Sequence, residues 1–158
     1  MRPLTQSDDA FILELLNDPS FIRFIGDRGA RNIYDARKYI VEGPIASYEK
    51  HGYGLYLTAL KRCRTPIGIC GLVKRKSLPH ADIGFAFLAA YCEQGYGFEA
   101  ASKTIEYGRD TLELEHILAI TTPDNHGSQR LLEKVGLNFN RLIQLSDDEE
   151  PVKLYALS

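Results

Sequence analysis

The sequence has little of the chemistry that marks metal sites or disulfide frameworks. Only three cysteines, Cys63, Cys70 and Cys92, occur in 158 residues, and their odd number and spacings fit no paired metal-binding knuckle. We therefore expect free thiols in a reducing, cytoplasmic compartment. The four histidines form no His-x-x-x-His pair, so the sequence predicts no metal site.

Neither sign of charge dominates. Nineteen basic and 21 acidic side chains give a net charge of -2, which predicts no nucleic-acid partner. No apolar run is long enough to span a membrane, and the polar residues after Met1-Arg2-Pro3 predict no signal peptide. With 44% apolar residues, the chain suits one globular domain over residues 1–158, either a monomer or a homodimer.

Hydrophobic periodicity divides the chain into a helical first third and a strand-rich remainder. Apolar residues recur at helical spacing after Thr5 and after Asn32, with a break expected at Gly43-Pro44. Further helices are expected from Gly97 to about Leu112 and after Asn125. Strands are predicted at 53–60, 66–73, 82–88, 116–122, 137–145 and 152–157. This order predicts an α/β protein whose mixed sheet carries helices on both faces.

Two glycines stand where a predicted strand gives way to the longest predicted helix, in Cys92-Glu93-Gln94-Gly95-Tyr96-Gly97-Phe98. Glycine lets a backbone approach a ligand closely, and a helix start presents free N–H groups and the positive end of the helix dipole. Such a pattern suits a phosphate group. It is also common in plain tight turns, so both interpretations stay open at this point.

Four stretches, taken in order, resemble the GNAT family of N-acetyltransferases and, within it, the branch that acetylates ribosomal-protein N-termini. They are Pro66 to Leu72, Asp82 to Phe85, Gln94 to Ala100, and Asn125 to Leu137. The resemblance covers nearly the whole chain. It implies a mostly antiparallel twisted sheet flanked by helices, and transfer of acetyl from acetyl-CoA to a primary amine such as a protein N-terminal α-amine. It also implies direct attack by the amine in a ternary complex.

The resemblance implies a place for most of the acetyl-CoA molecule. The pantetheine arm would lie along the strand that ends at Phe87 and Leu88, where this strand diverges from the one at 116–122. A backbone N–H near Leu88 would polarise the thioester carbonyl. The pyrophosphate would meet the N–H groups of a cradle formed by Gln94, Gly95, Tyr96, Gly97 and Phe98.

Side chains on the two following helices would complete the implied cofactor site. Asn125 would contact the cofactor while it caps a helix, and Ser128 would donate a proton or hydrogen bond to the leaving thiolate. Lys134 would bind the cofactor, with the 3′-phosphate as its expected contact. Lys103 and Arg130 are the other cations proposed for that phosphate.

The sequence departs from the broad family at three places. Cys92 stands where a glutamine or arginine is common, and Leu132 stands where many members have a tyrosine acid, so the tyrosine role is excluded. The first strand, within residues 1–4, is expected to be short or missing. An acetyl-cysteine on Cys92 would be an alternative route, but no histidine is adjacent to activate it.

The general base is left open, with Asp82 as the named candidate. An acid at a strand start is usually solvated, so Glu93, Tyr53 and Tyr91 remain alternatives. Two rival functions also remain. One is acetylation of a small amine, polyamine or aminoglycoside, which the acidic run at 147–150 could attract. The other is a non-catalytic acyl-CoA-binding module.

Overall fold

A computed structural model describes residues 1–157 and is built on one seven-stranded sheet. Its strands are β1 (Arg2–Pro3), β2 (Leu55–Ala59), β3 (Pro66–Val73), β4 (Asp82–Phe87), β5 (Leu118–Thr121), β6 (Leu137–Ile143) and β7 (Val152–Leu157). Their order across the sheet is β1-β2-β3-β4-β5-β7-β6. Every neighbouring pair is antiparallel except β4 with β5, which confirms the mixed, mostly antiparallel sheet.

Within the described residues, six α-helices accompany the sheet. They are α1 (Asp9–Leu16), α2 (Pro19–Phe24), α3 (Ile33–Ile40), α4 (Ala46–His51), α5 (Tyr96–Asp110) and α6 (His126–Lys134). Asp18 accepts a hydrogen bond from the Ser20 backbone at 2.9 Å and so caps α2, where Pro19 takes the first helical position that suits proline. The first strand, β1, has two residues, which confirms the expectation that it is short.

The alternation of side chains along β3 and β4 places a core on each face of the sheet. Ile69 and Ala86 pack with the buried side chains of α1 and α3, such as Ile12. Cys70 and Ile83 face the other way and pack with α5 and α6. The expectation of helices on both faces is therefore confirmed.

The break predicted at Gly43-Pro44 is wrong. The helices α3 and α4 are joined without a gap by a π-helical turn, Val41–Ile45, that contains both residues. A π turn shifts the hydrogen-bond register by one residue, so the missing N–H of Pro44 interrupts no regular α-helical bond there. Pro44 is buried rather than placed in a surface loop.

The strands β4 and β5 are paired only where they begin. Their parallel pairing is confined to Asp82 and Leu118, after which β4 continues beside β3 and β5 beside β7. A gap therefore opens in the sheet toward the carboxyl ends of both strands. This confirms the predicted divergence, and it leaves one edge of β4 without a partner strand.

Gly71 is required where β2 enters the sheet. A Cβ at this position would lie 2.0 Å from the Gly54 carbonyl oxygen and 2.8 Å from the Leu55 Cα, both backbone atoms. We expect Gly71→Ala to lower the free energy of unfolding by about 3 kcal/mol or more, because a backbone must move to admit the methyl group.

Gly84, the cross-strand partner of Gly71, provides the matched control. A Cβ there would meet only side-chain atoms at ordinary contact distances, the Leu55 Cδ2 at 3.4 Å and the Val73 Cγ2 at 3.6 Å, so Gly84→Ala should cost under about 1 kcal/mol. Urea denaturation measures both variants. Equal losses would contradict the steric explanation.

Candidate active site

The cradle predicted at the start of α5 has its donors free. None of the backbone N–H groups from Gln94 to Phe98 donates to an acceptor within residues 1–157, and the first helical bond runs from the Glu99 N–H to the Gly95 carbonyl. Such orphan donors at a helix start are the usual anion-binding groups of a protein backbone. The cradle is therefore ready to accept phosphate oxygens.

Both glycines have a structural reason in this loop. Gly95 precedes α5 with φ of +88°, in the left-handed region that favours glycine. Gly97 lies close to α6, where a Cβ would approach the Leu131 Cδ2 atom to 3.2 Å. The Gln94 side chain turns back and donates to the Ala90 carbonyl at 2.6 Å, so only its backbone is directed toward an anion.

The open edge of β4 supplies further backbone donors. The Leu88 N–H donates to the Ile67 carbonyl at 2.9 Å, so it is not free to polarise a thioester at that residue. Because hydrogen-bonding directions alternate along an antiparallel strand, the N–H groups of Phe85 and Phe87 point into the gap between β4 and β5. The free donors near Leu88 therefore lie at Phe85 and Phe87.

One groove of about 560 Å³ runs from the cradle through the gap to the opposite face of the sheet. Gly97, Phe98 and Ser128 line it on the side of α5 and α6. Phe24 and Tyr39 line it on the side of α2 and α3. A ligand held in the cradle and a second ligand entering from the other face could therefore meet within the gap.

Asn125 and Ser128 meet at the start of α6, as the sequence suggested. The Asn125 side chain accepts a hydrogen bond from the Ser128 N–H at 3.2 Å and so caps the helix. Both residues line the groove. The Ser128 hydroxyl has no hydrogen-bond partner within the described chain, so it is free to donate to a ligand.

Asp82 is the most perturbed carboxyl group in the groove, and it is buried rather than solvated as a strand-start acid would be. Its side chain is 1% exposed, and the Arg75 Nε atom donates to both of its oxygens at 3.1 Å. Burial raises the pKa of Asp82 to about 6, although the charge of Arg75 acts in the opposite direction. A carboxylate with such a pKa is a suitable general base at neutral pH.

The three proposed phosphate-binding cations do not share one location. Lys134 lines the groove with its Nζ atom 4.7 Å from the centre of the Phe98 ring, at the cradle. Arg130 also lines the groove, 3.8 Å from Glu93. Lys103 is paired with Glu106 and lines a separate cavity beside β1 and β2, so it does not flank the cradle.

The other candidate bases are less suitable than Asp82. Tyr53 is packed in the core on the side of α5 and does not line the groove. Tyr91 and Glu93 do line it, but Glu93 is 87% exposed beside the cradle. Burial therefore distinguishes Asp82 among the carboxyl groups of the groove.

Cys92 and Leu132, the two side chains that depart from the family pattern, have clear surroundings. Partial desolvation, with smaller effects of Asp18 and Glu93, raises the pKa of the Cys92 thiol. Its sulfur lies 3.6 Å from the Leu88 carbonyl oxygen. Leu132 is a core side chain, 1% exposed, which packs against both α5 and the sheet.

The polar groove residues Arg28, Tyr39 and Arg75 are among those that sequence reasoning missed. Arg75 belongs to the basic turn that precedes β4, and this run of positive charge close before Asp82 was the available signal. Arg28 and Tyr39 come from the segment after α2 and from α3. Nothing in their local sequence indicates that they face β4.

A split between parallel strands, free N–H donors at a helix start and a buried carboxylate in the same groove suit the transfer of a group from a phosphorylated carrier. The particular family is shown by comparison: the model of the acetyltransferase (GNAT) domain matches residues 1–138. The chain belongs to this family and is an acetyl-CoA-dependent N-acetyltransferase.

Two relatives from Bacillus subtilis are similar over most of their length. The uncharacterized protein YkkB is 25% identical over 158 residues, 98% of this chain and 89% of YkkB. The uncharacterized N-acetyltransferase YoaA is 28% identical over 138 residues, 86% of this chain and 77% of YoaA.

Solved structures share the fold. An acetyltransferase from Agrobacterium tumefaciens has a TM-score of 0.83 at 22% identity, covering 99% of this chain and 88% of its own. A putative ribosomal-protein-serine acetyltransferase from Vibrio cholerae has a TM-score of 0.80 at 18% identity, covering 99% and 91%. AAC(6')-Ib, solved with paromomycin and acetyl-CoA, has a TM-score of 0.79 at 19% identity, covering 99% and 91%.

The helices within residues 1–157 are all too short or too polar to span a membrane. The same residues contain no group of three or more His, Cys, Asp or Glu side chains that could hold a metal ion.

Proposed function

We propose that this N-acetyltransferase acetylates a primary amine, such as the α-amine of a protein N-terminus, by direct attack while both substrates are bound. The observation that carries the proposal is the single groove that crosses the sheet through the gap between β4 and β5. It has the anion cradle at one end and the buried Asp82 carboxylate at the other. Two substrates can therefore enter from opposite faces.

The residues of the groove fit acetyl-CoA. The free N–H groups of Gln94 to Phe98 would hold the pyrophosphate, and Lys134 would add a positive charge. The unpaired edge of β4 at Phe85 and Phe87 would hydrogen-bond the pantetheine arm. Bound there, acetyl-CoA supplies an acetyl group activated as a thioester.

Groups of the chain itself would accept and donate the protons of the reaction. Asp82 would take the proton that the amine must lose, directly or through a water, and an α-amine of pKa near 8 loses it readily. The Phe85 N–H would donate to the acetyl carbonyl oxygen. Ser128 would donate to the sulfur as the carbon–nitrogen bond forms and the carbon–sulfur bond breaks.

The surroundings of Cys92 favour direct attack over an acetyl-cysteine route. Its raised pKa keeps the thiol protonated at neutral pH, and a thiol is a much poorer nucleophile than a thiolate. None of the four histidines lines the groove, so none is placed there to activate the thiol. The groove therefore offers no activated thiol that could carry the acetyl group as a covalent intermediate before the amine attacks.

Acetyl-CoA binding and turnover test the proposal together. At about one hundred times its Kd, acetyl-CoA should stabilise the protein by about 2.7 kcal/mol, which a thermal-shift assay detects as a higher Tm. With N-terminal peptides present, CoA release should equal the acetylated peptide found by mass spectrometry. Without an amine, intact-mass analysis should find no acetylated protein.

Other results would point elsewhere. Stabilisation by acetyl-CoA without CoA release, over a broad panel of amines, would identify a non-catalytic acyl-CoA-binding module. Acetylated protein that is competent to pass its acetyl group to an amine would replace direct attack by the cysteine route. No stabilisation at any acetyl-CoA concentration would contradict every function based on this carrier.

A further inference from the structure

The end of the groove on the α2 and α3 side has an uneven distribution of charge. We call it the acceptor end; it is lined by Arg28, Tyr39, Arg75 and Asp82, with Phe24 beside them. Its one carboxyl group, Asp82, is buried and already bonded to Arg75. An entering substrate therefore meets two guanidinium groups and no free carboxylate.

Both guanidinium groups have N–H donors that bond to no acceptor within the described residues. Arg28 makes no hydrogen bond or ion pair with any residue that the structure describes. Arg75 uses its Nε atom for Asp82, and its two Nη groups donate to no acceptor within residues 1–157. Since a guanidinium has five N–H donors, four of those on Arg75 remain for a ligand.

Tyr39 brings a third free donor to the same place. Its hydroxyl has no hydrogen-bond partner within the described part of the chain, although the side chain is partly buried. Burial raises its pKa, while the charges of Arg28 and Arg75 lower it. Three side chains from different elements, each with unpartnered donors, thus line the same groove.

We propose that the amine acceptor carries a carboxylate close to its nitrogen, held by Arg28, Tyr39 and Arg75 while the amine points into the gap. Free guanidinium donors match the planar geometry of a carboxylate, and an unpaired donor cluster of this kind would repel a polycation. This inference rests on the proposed function and names the class of amine that the site takes. It disfavours polyamines and aminoglycosides as acceptors.

The remaining charges around the groove do not reverse this preference. Glu93, Arg130 and Lys134 lie at the cradle, where the carrier would bind. The acidic run at 147–150 lines no part of the groove, so it does not offer its carboxylates to a bound amine. The acceptor end itself therefore decides the charge of the substrate.

Matched amines that differ by one carboxylate test the inference. Asp-Ala-Ala-amide against Asn-Ala-Ala-amide tests a side-chain carboxylate on a peptide, and leucine against leucinamide tests the carboxylate of a free amino acid. Spermidine serves as the polycation. In at least one pair, kcat/KM for the carboxylate member should be about tenfold higher or more, because charge-assisted bidentate hydrogen bonds discriminate strongly. Spermidine should be the poorest acceptor.

Variants at Arg28 show which residue provides the preference. Arg28→Gln should remove most of the carboxylate advantage, because it should lower kcat/KM for the carboxylate member much more than for the amide member. Arg28→Lys should restore part of it, since lysine keeps the charge without the planar fork. Lys38→Gln, which removes another exposed positive charge that lies outside the groove, should change neither member of a pair.

Several outcomes would overturn the inference and leave the enzyme assignment intact. One is that the amide members or spermidine are acetylated as fast as the carboxylate members. Another is that Arg28→Gln affects both members of a pair equally. If acetyl-CoA binds but no amine is acetylated, the proposed function fails instead. In that case calorimetry of the CoA-saturated protein with N-acetylated Asp-Ala-Ala-amide and its Asn counterpart decides, and equal affinities would overturn the inference.

Discussion

Replacement of Asp82 by asparagine should lower kcat/KM by a factor of about 10² to 10⁴, the usual contribution of a general base. The asparagine side chain has nearly the same shape and can still accept a hydrogen bond from Arg75 Nε. It cannot take a proton from the amine. The loss should therefore appear in turnover, with little change in the affinity for acetyl-CoA.

The pH profile gives an independent signature of the same group. Because the pKa of Asp82 is raised to about 6, kcat/KM of the wild-type enzyme should rise with pH through about 6 as the base ionises. In Asp82→Asn this ascending limb should be lost. A wild-type limb that persists unchanged in the variant would assign it to another group.

The contribution of Asp82 to the free energy of unfolding should fall as the pH rises, whereas kcat/KM should rise. The folded state keeps Asp82 protonated to a higher pH than the unfolded chain, whose Asp pKa is near 3.8. This proton contributes about 3 kcal/mol to the free energy of unfolding. The contribution is fully present below pH 3.8 and is lost as the pH rises through about 6. In Asp82→Asn, urea unfolding should show a flatter dependence over this range.

Asp9 provides a matched control. It is another largely buried carboxylate paired with an arginine, since the Arg37 Nε atom lies 2.6 Å from it, but it does not line the groove. Asp9→Asn should leave kcat/KM within about twofold of the wild type when the protein is folded. An equal loss of turnover in both variants would show that buried charge pairs affect activity only through folding.

Removal of the Ser128 hydroxyl is expected to have the second-largest effect on turnover. Ser128→Ala should lower kcat by about 10² or more, because a donor aimed at developing charge contributes this much in enclosed sites. Its hydroxyl lines the groove and is not used by any other residue of the described chain. Since the Asn125 cap bonds to the Ser128 backbone, α6 should stay intact.

Ser20 allows the hydroxyl itself to be tested. It also lines the groove, but its hydroxyl is engaged by Asp18 at 2.6 Å. Ser20→Ala should therefore keep kcat within about threefold of the wild type, and Ser128→Thr, which retains a hydroxyl, should recover part of the loss. If Ser128→Ala itself stays within threefold, the thiolate must obtain its proton from water or another group.

Local patterns in the sequence predicted the elements around the proposed carrier half of the site. The transition from strand to helix at Gly95 and Gly97 was compatible with both an anion cradle and a plain tight turn, and the resemblance to the acetyltransferase family favoured the cradle. The strand at Pro66–Val73 was predicted with its observed boundaries. These features depend on residues near one another in the chain, so propensity and spacing reveal them.

The acceptor half was decided only by the tertiary structure. Arg28, Tyr39 and Arg75 line one groove although they come from the segment after α2, from α3 and from the turn before β4. Asp82 is buried and bonded to Arg75, whereas a strand start alone suggests a solvated acid. The charge, burial and pKa of these groups depend on contacts between distant parts of the chain, and no local pattern in the sequence records such contacts.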